Sequence, residues 1–228
     1  ALPTGVDWVV AWLAVARVGC VPMLFPATYR PAELRRSLRF GDVAILVTTP
    51  SMLGRDHEGF LERAIPSLAS HSAVTPLRDV EVPHLRSVWL TGASDKLWAH
   101  RVEYDGPVPG DITRSFLESI EAEVVPADPL LVVYTSGSSA DPKAVVHTHG
   151  AAIRKIQPEL GVCQPGSLPG PTFCAMPFFW VGGPQDLLGA LLSGATIVTQ
   201  ERFDAAEALD LLERERCTSI AGWPGLYH

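Results

Sequence analysis

Apolar residues along the chain form short continuous runs that alternate with segments of helical spacing. Large and β-branched residues run together where strands are predicted, at 21–26, 44–47, 88–90, 130–134, 144–146, 172–176, 195–199 and 217–221. Apolar residues recur every three or four positions where helices are predicted, at 7–19, 31–40, 60–68, 115–123, 150–160, 186–192 and 204–216. This alternation is typical of an α/β protein, with β-sheets flanked by helices.

Several predicted ends carry local signals. Asp7 and Asp204 are predicted to cap the helices that follow them, and Glu207 lies where a capping box would use it. Gly194 is a natural helix stop. Residues 95–110 are polar and punctuated by glycine and proline, so we predict a surface loop there.

Composition narrows the class of protein. The 228 residues are 47% hydrophobic, which is enough for a sizeable core in one or two domains. A net charge of -7 argues against a general nucleic-acid binder. The longest apolar run, residues 8–16, is too short to span a bilayer. The sequence does not indicate the oligomeric state.

The four cysteines, Cys20, Cys163, Cys174 and Cys217, are scattered and form no C-x-x-C pair. Such cysteines are typically small buried hydrophobes in a reducing compartment. We therefore predict a cytoplasmic protein.

Residues that could bind a ligand cluster in one loop between two predicted strands. Hydroxyl groups, a glycine and one lysine follow each other there, in the order Tyr134-Thr135-Ser136-Gly137-Ser138-Ser139-Ala140-Asp141-Pro142-Lys143. Backbone N–H groups, side-chain hydroxyls and a cation together suit a polyphosphate. The usual Walker pattern is absent, which argues against an ordinary P-loop NTPase. A flexible Ser/Gly linker is the alternative, but linkers are rarely flanked by apolar strands.

The segment resembles the phosphate-binding signature of the adenylate-forming enzymes, which include acyl-CoA synthetases, aryl-CoA ligases and peptide-synthetase adenylation domains. Thr148-His149 matches the Thr-His pair of that signature. The resemblance implies catalysis by Lys143 and nucleotide binding by a set of loop residues and one histidine. These are Thr135, Ser136, Gly137, Ser138, Ser139, Ala140, Pro142, Lys143 and His149.

Two loop positions depart from the family. Ala140 and Ala144 stand where glycine is usual. If the backbone there had positive φ, each alanine would cost about 1 kcal/mol or more. If φ is negative, the cost is small. Asp141 is expected to face solvent, because its charge would oppose a phosphate.

Two further regions match the family in order along the chain. Gly19-Cys20-Val21-Pro22 matches its Gly-x-Val-Pro strand, and both Gly194-Ala195-Thr196 and Arg202-Phe203-Asp204 match later segments. Between them, the family has a Pro-Leu-Phe-His segment bordering its carboxylate pocket. The resemblance implies substrate binding by the corresponding residues here, which are Phe179, Trp180, Gly182 and Gly183. Trp180 replaces the family histidine, and a core position for this tryptophan is equally expected.

His147 and His149 would put both rings on one face if they lay on a strand. No third ligand lies nearby in the sequence, so we predict no metal site at this pair.

By resemblance, the chain is part of the large N-terminal domain of an acid–thiol ligase. Such enzymes use ATP and Mg²⁺ to convert a small carboxylic acid, fatty acids included, into an acyl-adenylate, then pass it to coenzyme A. The family motifs for adenine, Mg²⁺ and the terminal catalytic lysine are not in this sequence. We therefore expect residues 1–228 to be a fragment that is inactive alone.

Two alternatives remain open. One is a peptide-synthetase adenylation domain or an acyl-AMP ligase, and the other is a nucleotide-binding remnant without turnover. The sequence does not identify the acid.

Overall fold

The computed structural model describes residues 1–104, 106, 109–135, 143–162, 170–223 and 225. Its helices are α1 Val6–Arg17, α2 Pro31–Phe40, α3 His57–Ala64, α4 Arg114–Glu121, α5 His149–Val162, α6 Gly182–Ser193 and α7 Ala205–Arg214. Its strands are β1 Met23–Leu24, β2 Ile45–Thr48, β3 Ser51–Met52, β4 Arg55–Asp56, β5 Ser87–Leu90, β6 Ala99–Arg101, β7 Pro129–Thr135, β8 Lys143–Thr148, β9 Thr172–Cys174, β10 Ile197–Thr199 and β11 Ser219–Ala221. The predicted α/β class, with several sheets flanked by helices, is confirmed.

The chain divides into two compact units. The first unit comprises Ala1–Pro3 and Phe25–Thr113, and the second comprises Thr4–Leu24 and Arg114–His228.

The first unit is built on a parallel sheet in the order β2-β5-β6. Leu46 of β2 lies opposite Val88 of β5, and both side chains are buried. The α2 helix buries Leu34 and Leu38, four residues apart, which is the spacing of one helix face.

Two features of this unit differ from the sequence prediction. The segment predicted as a loop contains β6, which pairs with β5. The predicted helix at 60–68 begins earlier, as α3, and is interrupted before Pro66, where a 3₁₀ helix, Pro66–Ser70, begins. Proline has no N–H to donate to the preceding turn, so the α-helix cannot continue through it.

The second unit contains two separate sheets. In the first, β1 pairs parallel with β7, and β7 pairs antiparallel with β8. In the second, β9 lies between β10 and β11, and all strands run parallel. The α1 helix buries Trp8, Trp12 and Ala16 along one face.

Of the helix ends predicted in this unit, the Asp204 cap and the Gly194 stop are confirmed and the Asp7 cap is not. Gly5, not Asp7, is the N-cap of α1, so the predicted Asp7 cap is wrong. Asp204 does cap α7, accepting hydrogen bonds from the backbone N–H groups of Ala206 and Glu207. Gly194 ends α6 in the left-handed conformation, with φ 69°.

Within the described part of the chain, no helix is both long enough and apolar enough to cross a bilayer.

Candidate functional site

The hairpin of β7 and β8 positions the predicted phosphate loop. Thr135, the last residue of β7, lies opposite Lys143, the first residue of β8. The residues between them, which include the predicted Ser136, Gly137, Ser138, Ser139, Ala140 and Pro142, lie outside the described residues. The hairpin therefore fixes both ends of the loop, and Lys143 lies at its exit.

The two strands differ in burial. Leu130, Leu131, Val132 and Val133 of β7 are buried, whereas Lys143, Ala144, Val145 and Val146 of β8 are exposed. β7 is the central strand, with neighbours on both sides, and β8 lies at the edge among the described strands. A buried strand thus anchors the hairpin, while the Lys143 side chain is open to solvent.

Ala144 is not strained. It lies opposite Tyr134 in the β7–β8 ladder and is absent from the described non-glycine residues with positive φ. The alanine that replaces the family glycine here therefore carries no left-handed backbone penalty. Ala140 lies outside the described residues.

His149 lies beyond the far end of β8, away from Lys143. β8 ends at Thr148, and His149 begins α5 one residue before the predicted helix start, so His147 and His149 do not lie on one strand. Six residues of extended chain separate Lys143 from His149 by about 20 Å. Of the predicted nucleotide-binding residues that are described, the hairpin thus brings together Thr135 and Lys143 but not His149.

The His149 ring lies beside a cleft of about 400 Å³. Its Nε2 atom is buried and has no hydrogen-bond partner among the described residues. The cleft is lined by Val124, Val125, Pro126, His149, Gly150, Ile153 and Arg154. Elsewhere in the described chain, no group of three or more His, Cys, Asp or Glu side chains is arranged to hold a metal ion.

The predicted acyl-binding segment follows β9 as a tight turn. Phe178 is 1% exposed and packs on Trp8, with ring centroids 5.3 Å apart. Phe179 is half-buried, and Trp180 is 47% exposed. The core aromatic of this segment is therefore Phe178, and Trp180 faces outward.

Gly183 is needed for the close approach in this turn. A Cβ atom at this position would lie 2.7 Å from both the Cα of Phe178 and the carbonyl oxygen of Pro177. The neighbouring Gly182 is packed against Met176. The predicted glycines thus shape the turn that presents Phe179 and Trp180.

Trp223, which contacts Trp180, and Phe203, which contacts Trp223, were not predicted as site residues. Trp223 lies 6.3 Å from Trp180 and 6.0 Å from Phe203, measured between ring centroids, and both contacts are edge-to-face. Each residue follows a strand of the second sheet, Phe203 after β10 and Trp223 after β11. Their positions just after two strands could have predicted that they lie close together, because residues that follow parallel strands meet at one edge of the sheet.

A buried thiol lies beneath this turn. Cys174 ends β9, and its Sγ lies 3.4 Å from a carboxylate oxygen of Asp186. Burial, together with the negative charge of Asp186, raises the pKa of the Cys174 thiol to about 12. The thiol is therefore protonated at neutral pH and is not a nucleophile.

The fold of this chain is similar to that of solved CoA synthetases. The o-succinylbenzoate CoA synthetase of Bacillus subtilis, solved in complex with ATP and magnesium ion, superposes with a TM-score of 0.65. The two are 15% identical, and the match covers 99% of this chain and 38% of that one.

The family is shown by the amino-acid sequence. Residues 1–228 match the family described as AMP-binding enzyme, and the chain belongs to that family. The acyl-CoA ligase sidI of Aspergillus fumigatus is 26% identical over 226 residues, which cover 97% of this chain and 36% of the relative.

The acetyl-coenzyme A synthetase of Shewanella amazonensis is 28% identical over 207 residues, which cover 88% of this chain and 30% of the relative. The chain thus spans about a third of the length of these curated relatives.

Proposed function

We propose that this chain supplies the polyphosphate-binding part of an acid–thiol ligase. In that reaction a carboxylate oxygen attacks the α-phosphorus of ATP, pyrophosphate leaves, and coenzyme A then takes the acyl group. The observation that carries the proposal is the β7–β8 register, which sets Thr135 opposite Lys143 at the two ends of the hydroxyl-rich loop. Membership of the AMP-binding family supports it.

Each residue has a proposed role in this reaction. Thr135, Ser136, Ser138 and Ser139 donate hydrogen bonds to phosphate oxygens. Lys143 is exposed at the loop exit, and its charge opposes the negative charge that builds up on the departing pyrophosphate. Adenylyl transfer depends on such positioning and charge stabilisation more than on proton transfer.

The donor set fits ATP. Hydroxyl groups, backbone N–H groups and one lysine are polyphosphate ligands. Carboxylate ligands for Mg²⁺ are expected in parts of the enzyme outside this sequence. The thiols of Cys20, Cys174 and Cys217 are free, which fits a reducing compartment, and we place the enzyme in the cytoplasm.

The carboxylic acid is proposed to bind at the turn that contains Phe179, Trp180, Gly182 and Gly183. The names of similar proteins give different acyl groups, since one relative is an acetyl-coenzyme A synthetase and a structural neighbour is an o-succinylbenzoate CoA synthetase. Family membership therefore does not choose the acid.

Calorimetric titration of the 228-residue chain with ATP tests the nucleotide site. Lys143→Ala should weaken ATP binding about 10- to 100-fold, as expected for one charge-assisted contact. Lys155→Ala is the matched control, because Lys155 is also exposed but lies on α5. It should leave affinity within about twofold, since exposed charges away from the ligand are screened.

Equal loss in both variants would contradict the assignment of Lys143. Absence of ATP binding by the unaltered chain would contradict the proposed nucleotide site. Because the chain spans about a third of its relatives, we also expect no carboxylate-dependent ATP–pyrophosphate exchange from it alone. Exchange by the chain would overturn that expectation.

A further inference from the structure

Aromatic side chains gather at one edge of the second sheet. Strands β9, β10 and β11 are parallel, so their carboxyl ends lie at the same edge. β9 is followed by Phe179 and Trp180, β10 by Phe203 and β11 by Trp223. These four residues are hereafter called the aromatic platform. Ligands of open α/β sheets bind at such carboxyl edges.

The platform rings form a connected chain. Phe179 contacts Trp180 with ring centroids 5.9 Å apart, Trp180 contacts Trp223, and Trp223 contacts Phe203. All contacts are edge-to-face, with interplanar angles of 71° to 82°. Edge-to-face packing leaves ring faces uncovered, and Trp180 and Phe203 are 47% and 38% exposed.

The backbone prevents the platform from collapsing into the core. Phe178 already fills the interior position against Trp8, and the turn is fixed where Gly183 meets Pro177 and Phe178. Phe179 and Trp180 therefore cannot rotate inward without displacing a buried side chain. Their exposure is a consequence of the fold.

The platform also offers polar groups. The indole N–H groups of Trp180 and Trp223 have no hydrogen-bond partner among the described residues. Tryptophan thus presents an apolar face and a donor at the same place. A ligand with an aromatic ring and a hydrogen-bond acceptor can therefore stack on the indole face and accept a hydrogen bond from the indole N–H group.

We infer that the aromatic platform binds the ring of an aromatic carboxylic acid, which makes the substrate of this enzyme an aryl acid and makes Trp223 a specificity-determining residue. The inference rests on the proposed function, which supplies the carboxylate. The ring stacks on the platform, and the indole N–H groups donate to the carboxylate or to a polar ring substituent.

A protein partner is a poorer occupant. Even if all four rings were half exposed, they would offer roughly 400 Å² at about 200 Å² for each ring. A stable protein interface needs about 800 Å² from each partner. A quaternary ammonium ion also binds aromatic groups, but it cannot accept the indole N–H hydrogen bonds.

Fluorine NMR of the chain labelled with 5-fluorotryptophan tests the inference. The six tryptophans give separate probes, among which Trp180 and Trp223 belong to the platform. Trp89 is 39% exposed but lies in the other unit, so it controls for nonspecific binding. Trp8 and Trp12 are buried and report on the integrity of the fold.

Phenylacetate is titrated first, followed by cyclohexylacetate, which has the same length and charge but no aromatic ring. Saturable shifts are expected at Trp180 and Trp223 and not at Trp89. Phenylacetate should bind about 2- to 10-fold more tightly than cyclohexylacetate, as expected for added ring–ring contacts. Trp223→Leu and Phe203→Leu should each weaken phenylacetate binding at least threefold, with the Trp8 and Trp12 signals unchanged.

Equal affinity for the two acids, or equal shifts at Trp89, would overturn the inference. So would tighter binding of tetramethylammonium, or platform shifts that follow protein concentration, which would indicate that a second copy covers this face. ATP titration of the same sample separates the two proposals. Lys143-dependent ATP binding without phenylacetate binding would refute only the aryl-acid inference, and the reverse result would refute only the nucleotide site.

Discussion

Gly183→Ala is the substitution to which the acyl-site turn should be most sensitive. The added methyl group would lie 2.7 Å from the Phe178 Cα and from the Pro177 carbonyl oxygen, whereas ordinary contacts begin at 3.4 Å. Backbone would have to move by about 0.7 Å, and forced overpacking of this kind costs about 1–3 kcal/mol. The displaced residues carry Phe179 and Trp180, so the platform should move as well.

Gly189→Ala is the matched control within the same helix. A Cβ at Gly189 meets only Ile156 Cγ2, at 3.8 Å, which is an ordinary contact. Alanine in a helix interior should therefore stabilise the unit by about 0.5–1 kcal/mol. The two variants should differ by about 1.5–4 kcal/mol in free energy of unfolding.

Urea unfolding, followed through the fluorine signals of Trp8 and Trp12, measures this difference within the second unit. Gly183→Ala should also shift the Trp8 signal under native conditions, because Trp8 packs on Phe178. If Gly183→Ala were as stable as Gly189→Ala, the turn would not be sterically fixed, and the reasoning on the platform's exposure would fail.

Three further predictions concern individual side chains. Burial lowers the pKa of His57 from 6.5 to about 4, so the unfolded chain binds a proton that the folded chain does not, and the free energy of unfolding should rise by up to about 3 kcal/mol between pH 4 and 6.5. The difference in free energy of unfolding between the unaltered chain and His57→Phe, followed at buried Trp98, should show this rise. A difference that does not change with pH would refute the prediction. Asp204→Ala should lower the free energy of unfolding by about 1 kcal/mol, because the α7 cap is lost. Asp210 is exposed in the same helix, so Asp210→Ala should lower it less, and thermal unfolding of the two variants measures the order. Iodoacetamide at pH 8 should alkylate exposed Cys20 at least tenfold faster than buried Cys174, and equal rates by mass spectrometry would contradict the raised Cys174 pKa.

Sequence patterns predicted elements well where the determinants are local. The α2 helix spans the predicted residues because Pro31 suits its first turn and apolar spacing marks its buried face. β6 was missed because Ala99-His100-Arg101 has no apolar run, and it is a strand only through pairing with β5. At α7 the Asp204 cap forms as predicted, but the Glu207 carboxylate accepts a hydrogen bond from Gln200 instead of completing a capping box.

In the candidate site, too, residues with local determinants were predictable from the sequence and residues with distant determinants were not. Thr135 and Lys143 were predictable because the loop and its two strands are contiguous in sequence. The start of α5 at His149 lies within one residue of the helix predicted at 150–160, because the apolar spacing of that segment is a local signal. The contacts of Trp223 with Trp180 and with Phe203 depend on where strands distant in sequence end, and no sequence spacing predicts them.

The central claim is that the loop ending at Lys143 binds the phosphates of ATP. An acyl-phosphate derivative of ATP transfers its acyl group to a lysine amine close to the bound phosphates, and mass spectrometry identifies the labelled residue. The labelled lysine should be Lys143, with excess ATP preventing the reaction and with Lys96 and Lys155 modified far less. Labelling of Lys155 or Lys96 to the same extent as Lys143, or labelling of Lys143 that ATP does not prevent, would contradict the claim.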